Sequence, residues 1–233
     1  MKKSRLKGGL LLGAAASGAL AVVSLGSAGT ANATCASVSG IGNGNGCTST
    51  PTSFALGVGT NATATANGLF NGAVAIGDNS TAAAGKGNFN FALAAGKQAL
   101  ATAQDGDFNI AVAIGNPAFN QSKGAIVPTS AQAEAFSTKS NGGLAVALGN
   151  GNVVQVGNGD FNRAVVVGTG SRAGIGGSGD NSTGIVFGNL STAFAPGGNN
   201  LAAVFGNQSF AQVLGGTNKS AIAIGDNKNV TVP

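Results

Sequence analysis

The chain has no histidine, tryptophan or tyrosine, and only 8% of its residues are charged. Without histidine, acid–base chemistry falls to lysine and the seven acids. The acids are Asp78, Asp105, Asp107, Glu134, Asp160, Asp180 and Asp226, most of them beside glycine in turn-forming pairs, where an Asx turn accounts for them. There are only two cysteines, Cys35 and Cys47, and no C-x-x-C pair or histidine to suggest a metal site. Gly-rich segments such as residues 40–46 lack the Gly-Lys-Ser/Thr of a phosphate loop. Catalytic, cofactor and metal sites are therefore not expected, and the chain does not read as an enzyme. A weak Ca²⁺ site at Asp160 and Asp180, which share a column on neighbouring repeats, is the one cation question left open.

The N-terminus reads as a secretory signal over residues 1–33. Lys2, Lys3, Arg5 and Lys7 are followed by an apolar stretch and by Ala31-Asn32-Ala33, a small-residue cleavage site. Gly13, Ser17, Gly18 and Ser24 interrupt the apolar stretch, which falls short of the roughly 20 residues of a membrane span. Four of the 12 basic residues lie in this segment, so the mature chain carries eight bases against seven acids, with no basic face for nucleic acid. Export places the chain outside the cytoplasm, secreted or in the cell envelope. There, Cys35 and Cys47 are expected to form a disulfide that closes an N-terminal cap over residues 34–51.

Glycine dominates what is present. An apolar pulse ends in an anchor glycine at Gly59, Gly77, Gly96, Gly115, Gly149, Gly168, Gly188, Gly206 and Gly225, with gaps of 18 to 20 residues except for one of 34. Such a period means a solenoid, all-β here because large and small residues alternate before each anchor. The expectation is a parallel β-solenoid over residues 52–233, about nine rungs long and roughly 40 Å at ~4.8 Å per rung. The long gap exceeds a period by 15 residues and predicts an inserted loop near residues 116–136.

Within each rung, the large set (Leu56, Val58, Val74, Ile76, Leu93 and equivalents) is expected to face the core. The small set (Ala73, Ala75, Ala92, Ala94, Ala145, Ala147) would then form a smooth outer wall. A second strand follows each anchor, with inward pairs such as Ala64/Ala66, Ala82/Ala84, Ala101/Ala103 and Val154/Val156. Phe70, Phe89, Phe108 and Phe161 are expected to fill a corner of the core. Asn71, Asn90, Asn109, Asn162 and Asn200 are expected to hydrogen-bond from rung to rung.

The segment Asn71-Gly72-Ala73-Val74-Ala75-Ile76-Gly77-Asp78-Asn79-Ser80-Thr81-Ala82-Ala83-Ala84 resembles the head repeat of trimeric autotransporter adhesins, and residues 220–228 match nearly as well. The resemblance implies left-handed β-rolls packed as trimers that bind host matrix. The rungs here are longer than that family's, and the chain as read ends at Pro233 with no coiled-coil stalk or β-barrel, so no transmembrane anchor is expected in the mature protein. Residues 35–42 and the Ala/Gly-rich composition also resemble uncharacterised exported mycobacterial proteins. Together these features imply a structural, adhesin-like protein that meets copies of itself, or an envelope or host surface, through flat faces. The alternative is a glycan- or ice-binding solenoid, suggested by Thr60, Thr63 and Thr65, whose spacing later rungs do not sustain.

Overall fold

The computed structural model describes residues 34–43, 45–116, 118–119, 128–129, 132–136, 141–176 and 179–233. The expected signal segment lies outside them. All regular structure among the described residues is β, arranged as a parallel solenoid with the ~19-residue period. Each rung gives one strand to each of two sheets. The first sheet stacks Phe54–Val58, Gly72–Ile76, Phe91–Ala95, Ile110–Ile114, Leu144–Leu148, Arg163–Val167, Thr183–Phe187, Leu201–Phe205 and Ser220–Ile224. Register is strict, so that Val74 pairs with Leu93 and Ile76 with Ala95. The second sheet runs from Cys47–Ser49 to Asn229–Val232.

The anchor glycines turn the chain between the sheets. Gly77 has φ of 120°, a region closed to most side chains. A methyl placed on it would also come within 2.5 Å of the Gly96 carbonyl oxygen, so the column admits only glycine.

The first-sheet strands face the opposite way from the sequence expectation. Ala73, Ala75, Ala92, Ala94, Ala111, Ala113, Ala145 and Ala147 are fully buried, while Ile76 and Ile114 are 44% and 42% exposed. The small set forms the core and the large set forms the outer wall. The second-sheet alanines do point inward as expected, Ala64, Ala66, Ala82, Ala84, Ala101 and Ala103 being buried. Short turns hold the two sheets close, and the gap accepts methyl groups from both sides. From the middle of the rod onward the core fills with Val154, Val156, Val166, Ile175, Val186, Val204 and Val213. Where the large Ile175 projects, the first sheet carries Gly184, and a methyl there would lie 3.4 Å from the Ile175 Cδ1.

Two buried polar ladders close the corners. Asn90 donates its backbone N–H to Asn71 Oδ1 (2.7 Å), accepts at its own Oδ1 from the Asn109 N–H (2.8 Å), and donates through Nδ2 to the Gly106 carbonyl (2.7 Å). Farther along, Ser182 takes over, accepting at Oγ from the Asn200 N–H and donating to the Gly197 carbonyl. The opposite corner runs through Asn152, Ser171, Ser191 and Ser209 in the same manner. These side chains satisfy backbone groups that the sheets release where the chain bends.

The disulfide Cys35–Cys47 is present. It ties Cys35–Val38, which caps the first sheet in antiparallel fashion, to the first strand of the second sheet. Its sulfurs occupy the space that an alanine methyl fills in other rungs. A Cβ on Gly57 would lie 2.5 Å from Cys35 Sγ.

The insertion is shorter than the sequence suggested. Gln132–Phe136, assigned above to the loop, is a rung strand paired with both Leu100–Gln104 and Val153–Val156. Most of the extra residues therefore lie between Asn116 and Gln132, where Ala118–Phe119 and Pro128–Thr129 form a short antiparallel pair.

Two stability measurements follow from these positions. Ala94→Leu should cost about 2 kcal/mol or more through overpacking, while the neighbouring Leu93→Thr should cost under about 1 kcal/mol. Chemical denaturation of both variants checks this, and the reverse order would restore the large-side-inward arrangement. Asn90→Ala should cost about 2 kcal/mol or more by leaving the Asn109 N–H and Gly106 carbonyl unpaired, with Asn90→Ser recovering part of the loss.

Candidate functional site

Each first-sheet strand places three residues outward, at its start, middle and end. The middle column is Leu56, Val74, Leu93, Val112, Val146, Val165, Ile185, Ala203 and Ile222. The end column is Val58, Ile76, Ala95, Ile114, Leu148, Val167, Phe187, Phe205 and Ile224. Both are apolar over all nine strands. Polar residues enter only in the start column, as Arg163, Thr183 and Ser220. Phe187 and Phe205 stack with centroids 5.7 Å apart, and the gap at Gly72 is covered by the Phe54 and Phe91 rings. The result is a continuous apolar wall along one side of the rod.

The outer face of the second sheet has a different chemistry. It presents Thr48, Thr63, Thr65, Thr81, Thr102, Gln155, Arg172, Thr192 and Gln212, interspersed with Leu100, Val153, Phe194 and Phe210. Thr63 Oγ1 donates to Thr81 Oγ1 at 3.1 Å. The threonine columns break at Ala83 and Leu100.

The phenylalanine column does not fill a corner of the core. Phe70, Phe89, Phe108 and Phe161 are 48–59% exposed. All four have φ between 56° and 60°, which turns the side chain outward while the following asparagine takes the inside of the corner. Phe70, Phe89 and Phe108 stack at 5.2 and 5.0 Å, forming an aromatic ridge along the edge where the wall begins.

The turn carboxylates cap neighbouring rungs. Asp160 Oδ1 accepts from the Asn141 N–H (2.7 Å), and Asp180 Oδ1 accepts from the Asp160 N–H (2.8 Å). Asp78, Asp107 and Asp226 do the same for Thr60, Asn88 and Asn207. Asp160 and Asp180 are thus adjacent, joined through backbone. Among the described residues no three of His, Cys, Asp and Glu group to hold a metal ion. Arg163 and Arg172 stand on different sheets. A depression of about 240 Å³ beside Phe194 and Phe210 holds Arg172 as its one charged residue. Another of about 470 Å³, between Gly179 and Thr217, holds Asp180 as its one charged residue, beside Asn181 and Asn199.

The wall is the feature that the sequence reading placed wrongly, since it put these residues in the core. The signal was available in the second strand: its inward side chains are methyl-sized in most rungs, which implies a narrow interior on both sides. Compared with models of known families, with characterised proteins and with solved structures, the chain finds no match.

Proposed function

We propose that the protein is a non-enzymatic structural scaffold, adhesin-like in character and secreted or held in the cell envelope, that assembles through the first-sheet wall. The wall carries this reading. Five residues of ~3.3 Å by nine strands at ~4.8 Å give a footprint of roughly 700 Å². Soluble monomers rarely expose apolar patches larger than a few hundred Å², and larger ones mark interaction sites. The Cys35–Cys47 disulfide suits an oxidising compartment outside the cytoplasm.

The occupant that fits best is further copies of the same chain. Arg163 is the only charge in the wall, and it stands in the start column beside the turn, where its guanidinium reaches water. A lipid surface is a poorer fit, because among the described residues no belt of basic residues borders the apolar columns. Three copies, the number implied by the resemblance to adhesin heads, also suit the wall's width. Three walls each about 16 Å wide enclose a prism whose axis lies about 5 Å from each sheet, half the ~10 Å at which sheets pack face to face. Inward Val, Ile and Leu side chains would fill that prism, and the second sheets, whose outer faces mix Thr, Gln and Arg with fewer apolar residues, would face the surroundings. An envelope or host-surface partner for the wall is the second reading. The outward threonines of the first rungs are all that favours glycan or ice binding.

Light scattering on the mature protein tests the proposal. The expected result is a small multiple of the chain mass, converted to a single chain by Val146→Lys, which sets a charge at the centre of the wall. Circular dichroism of that variant should be unchanged, because Val146 faces away from the core. A monomeric wild type that binds no apolar-surface dye would overturn the proposal.

A further inference from the structure

The two ends of the rod are built differently. At the first, Cys35–Val38 lies antiparallel along the edge of Phe54–Val58, with Ile41–Gly42 beyond it. At the other, among the described residues, Ser220–Ile224 and Asn229–Val232 each pair on one side only. Their free sides present two rows of backbone N–H and C=O groups, a template on which another copy can add strands.

Both corner ladders change residue type at this rung. One runs through Ser182 and Asn200, the other through Ser171, Ser191 and Ser209, and the next position in each is a lysine. Lys219 still donates its backbone N–H to Asn200 Oδ1 (3.0 Å), and Lys228 donates its own to Ser209 Oγ (3.0 Å). Neither side chain can pass the ladder on, because an ammonium has no lone pair to accept a further N–H.

The lysine stems stand where a further rung would lie. A methyl on Gly197 or Gly206 would meet the carbonyl oxygen of Gly216 or Gly225 in the following rung. On Gly216 it would instead meet Lys219 Cε (2.9 Å) and Nζ (3.0 Å), and on Gly225 it would meet Lys228 Cε (3.6 Å). Lys219 Nζ donates to the Pro233 carbonyl, which holds its stem across the corner. Between the two corners, Val230 and Val232 pack against the core, and Ala221 and Ala223 are buried although, among the described residues, no strand lies beyond them. The apolar interior is therefore closed at this end, and only backbone groups are left to pair.

We propose that Lys219 and Lys228 shut this end of the rod against end-to-end pairing with a second copy. Pairing would have to take both ammonium groups out of water or strip both stems from the glycine turns. Two copies meeting at this end about a two-fold axis would also bring four ammonium groups together. The backbone of each lysine keeps its place in the ladder, so the block costs the fold nothing but the two side-chain bonds. The device is independent of the wall: the wall governs contacts along the sides of the rod, and the lysines govern its end.

Restoring the ladder residues tests this, in a Val146→Lys background that takes the wall out of play. Lys219→Asn with Lys228→Ser should turn the single chain into a dimer, with association at least about 100-fold tighter than in the background alone by analytical ultracentrifugation. Small-angle scattering should show the particle lengthen from roughly 40 Å to roughly 80 Å, as two rods joined at their ends require. Lys219→Gln with Lys228→Gln, which keeps most of each stem and removes the charge, should also pair, and it covers the case in which the shorter side chains loosen the turns. Lys219→Arg with Lys228→Arg should remain a single chain. Circular dichroism of each variant confirms that the solenoid is intact. Folded Asn/Ser and Gln variants that both stay single chains would overturn the proposal. So would a doubled mass without added length, or an Arg variant that pairs as tightly as the Gln variant. A wild type that is already a single chain removes the function proposed for the wall and leaves this test unchanged.

Discussion

The distance between the two sheets governs the rest of the molecule. Tight turns at the anchor glycines, where a methyl on Gly77 would meet the next rung's carbonyl, bring the sheets together. The gap that remains takes one methyl from each side in the first four rungs, where alanine fills it, and admits valine or isoleucine in the later ones. A strand still alternates, and its other face must carry the bulkier residues that favour β structure. Fixing alanine inside thereby moves valine, isoleucine, leucine and phenylalanine outside. The apolar wall follows from the narrow core.

A core of methyl groups contributes modestly, since a buried CH₂ is worth only about 0.8 kcal/mol. The corner ladders make up part of the difference. Asn71, Asn90 and Asn109 each replace strand hydrogen bonds at a bend and join successive rungs with side-chain bonds that no water competes for. Early rungs combine an alanine core with the buried Asn71, Asn90 and Asn109. Later ones combine Val154, Val166, Val186 and Ile175 with corners of both asparagine (Asn152, Asn162, Asn200) and serine, and with Gly184 where the isoleucine needs room. The remaining apolar area lies outside, where a partner can bury it.

The period, the parallel β-solenoid and the asparagine columns were legible because each depends on spacing or on a residue type with a single structural use. The facing of the first strand was not. Alternation divides a strand into two sets without saying which set is buried, and a shift of one residue exchanges them. The usual ranking of buried residues then favoured Leu93 over Ala94, wrongly. The deciding information was Ala64, Ala82 and Ala101, inward on the opposite sheet, which limit the interior from across the core. The phenylalanines misled for a related reason: an aromatic column next to a buried asparagine column reads as core, but a left-handed backbone at Phe89 sends the ring out and leaves the corner to Asn90. Gln132–Phe136 was missed because its Ala133 and Ala135 continue the Ala101/Ala103 columns only when the preceding insertion is removed.

The two outer faces divide the molecule's work. Binding through the wall would be driven by apolar contact, which has no direction of its own, so specificity has to come from shape. On a flat, repetitive surface, any shift by one rung nearly superimposes the columns. A uniform wall of valine would allow such slippage at little cost. The irregular positions are what break that degeneracy: Gly72, Ala95 and Ala203 are the smallest residues of their columns, and Phe54, Phe91, Phe187 and Phe205 place rings at some levels and not at others. The departures from the repeat thus carry the information that the repeat itself cannot.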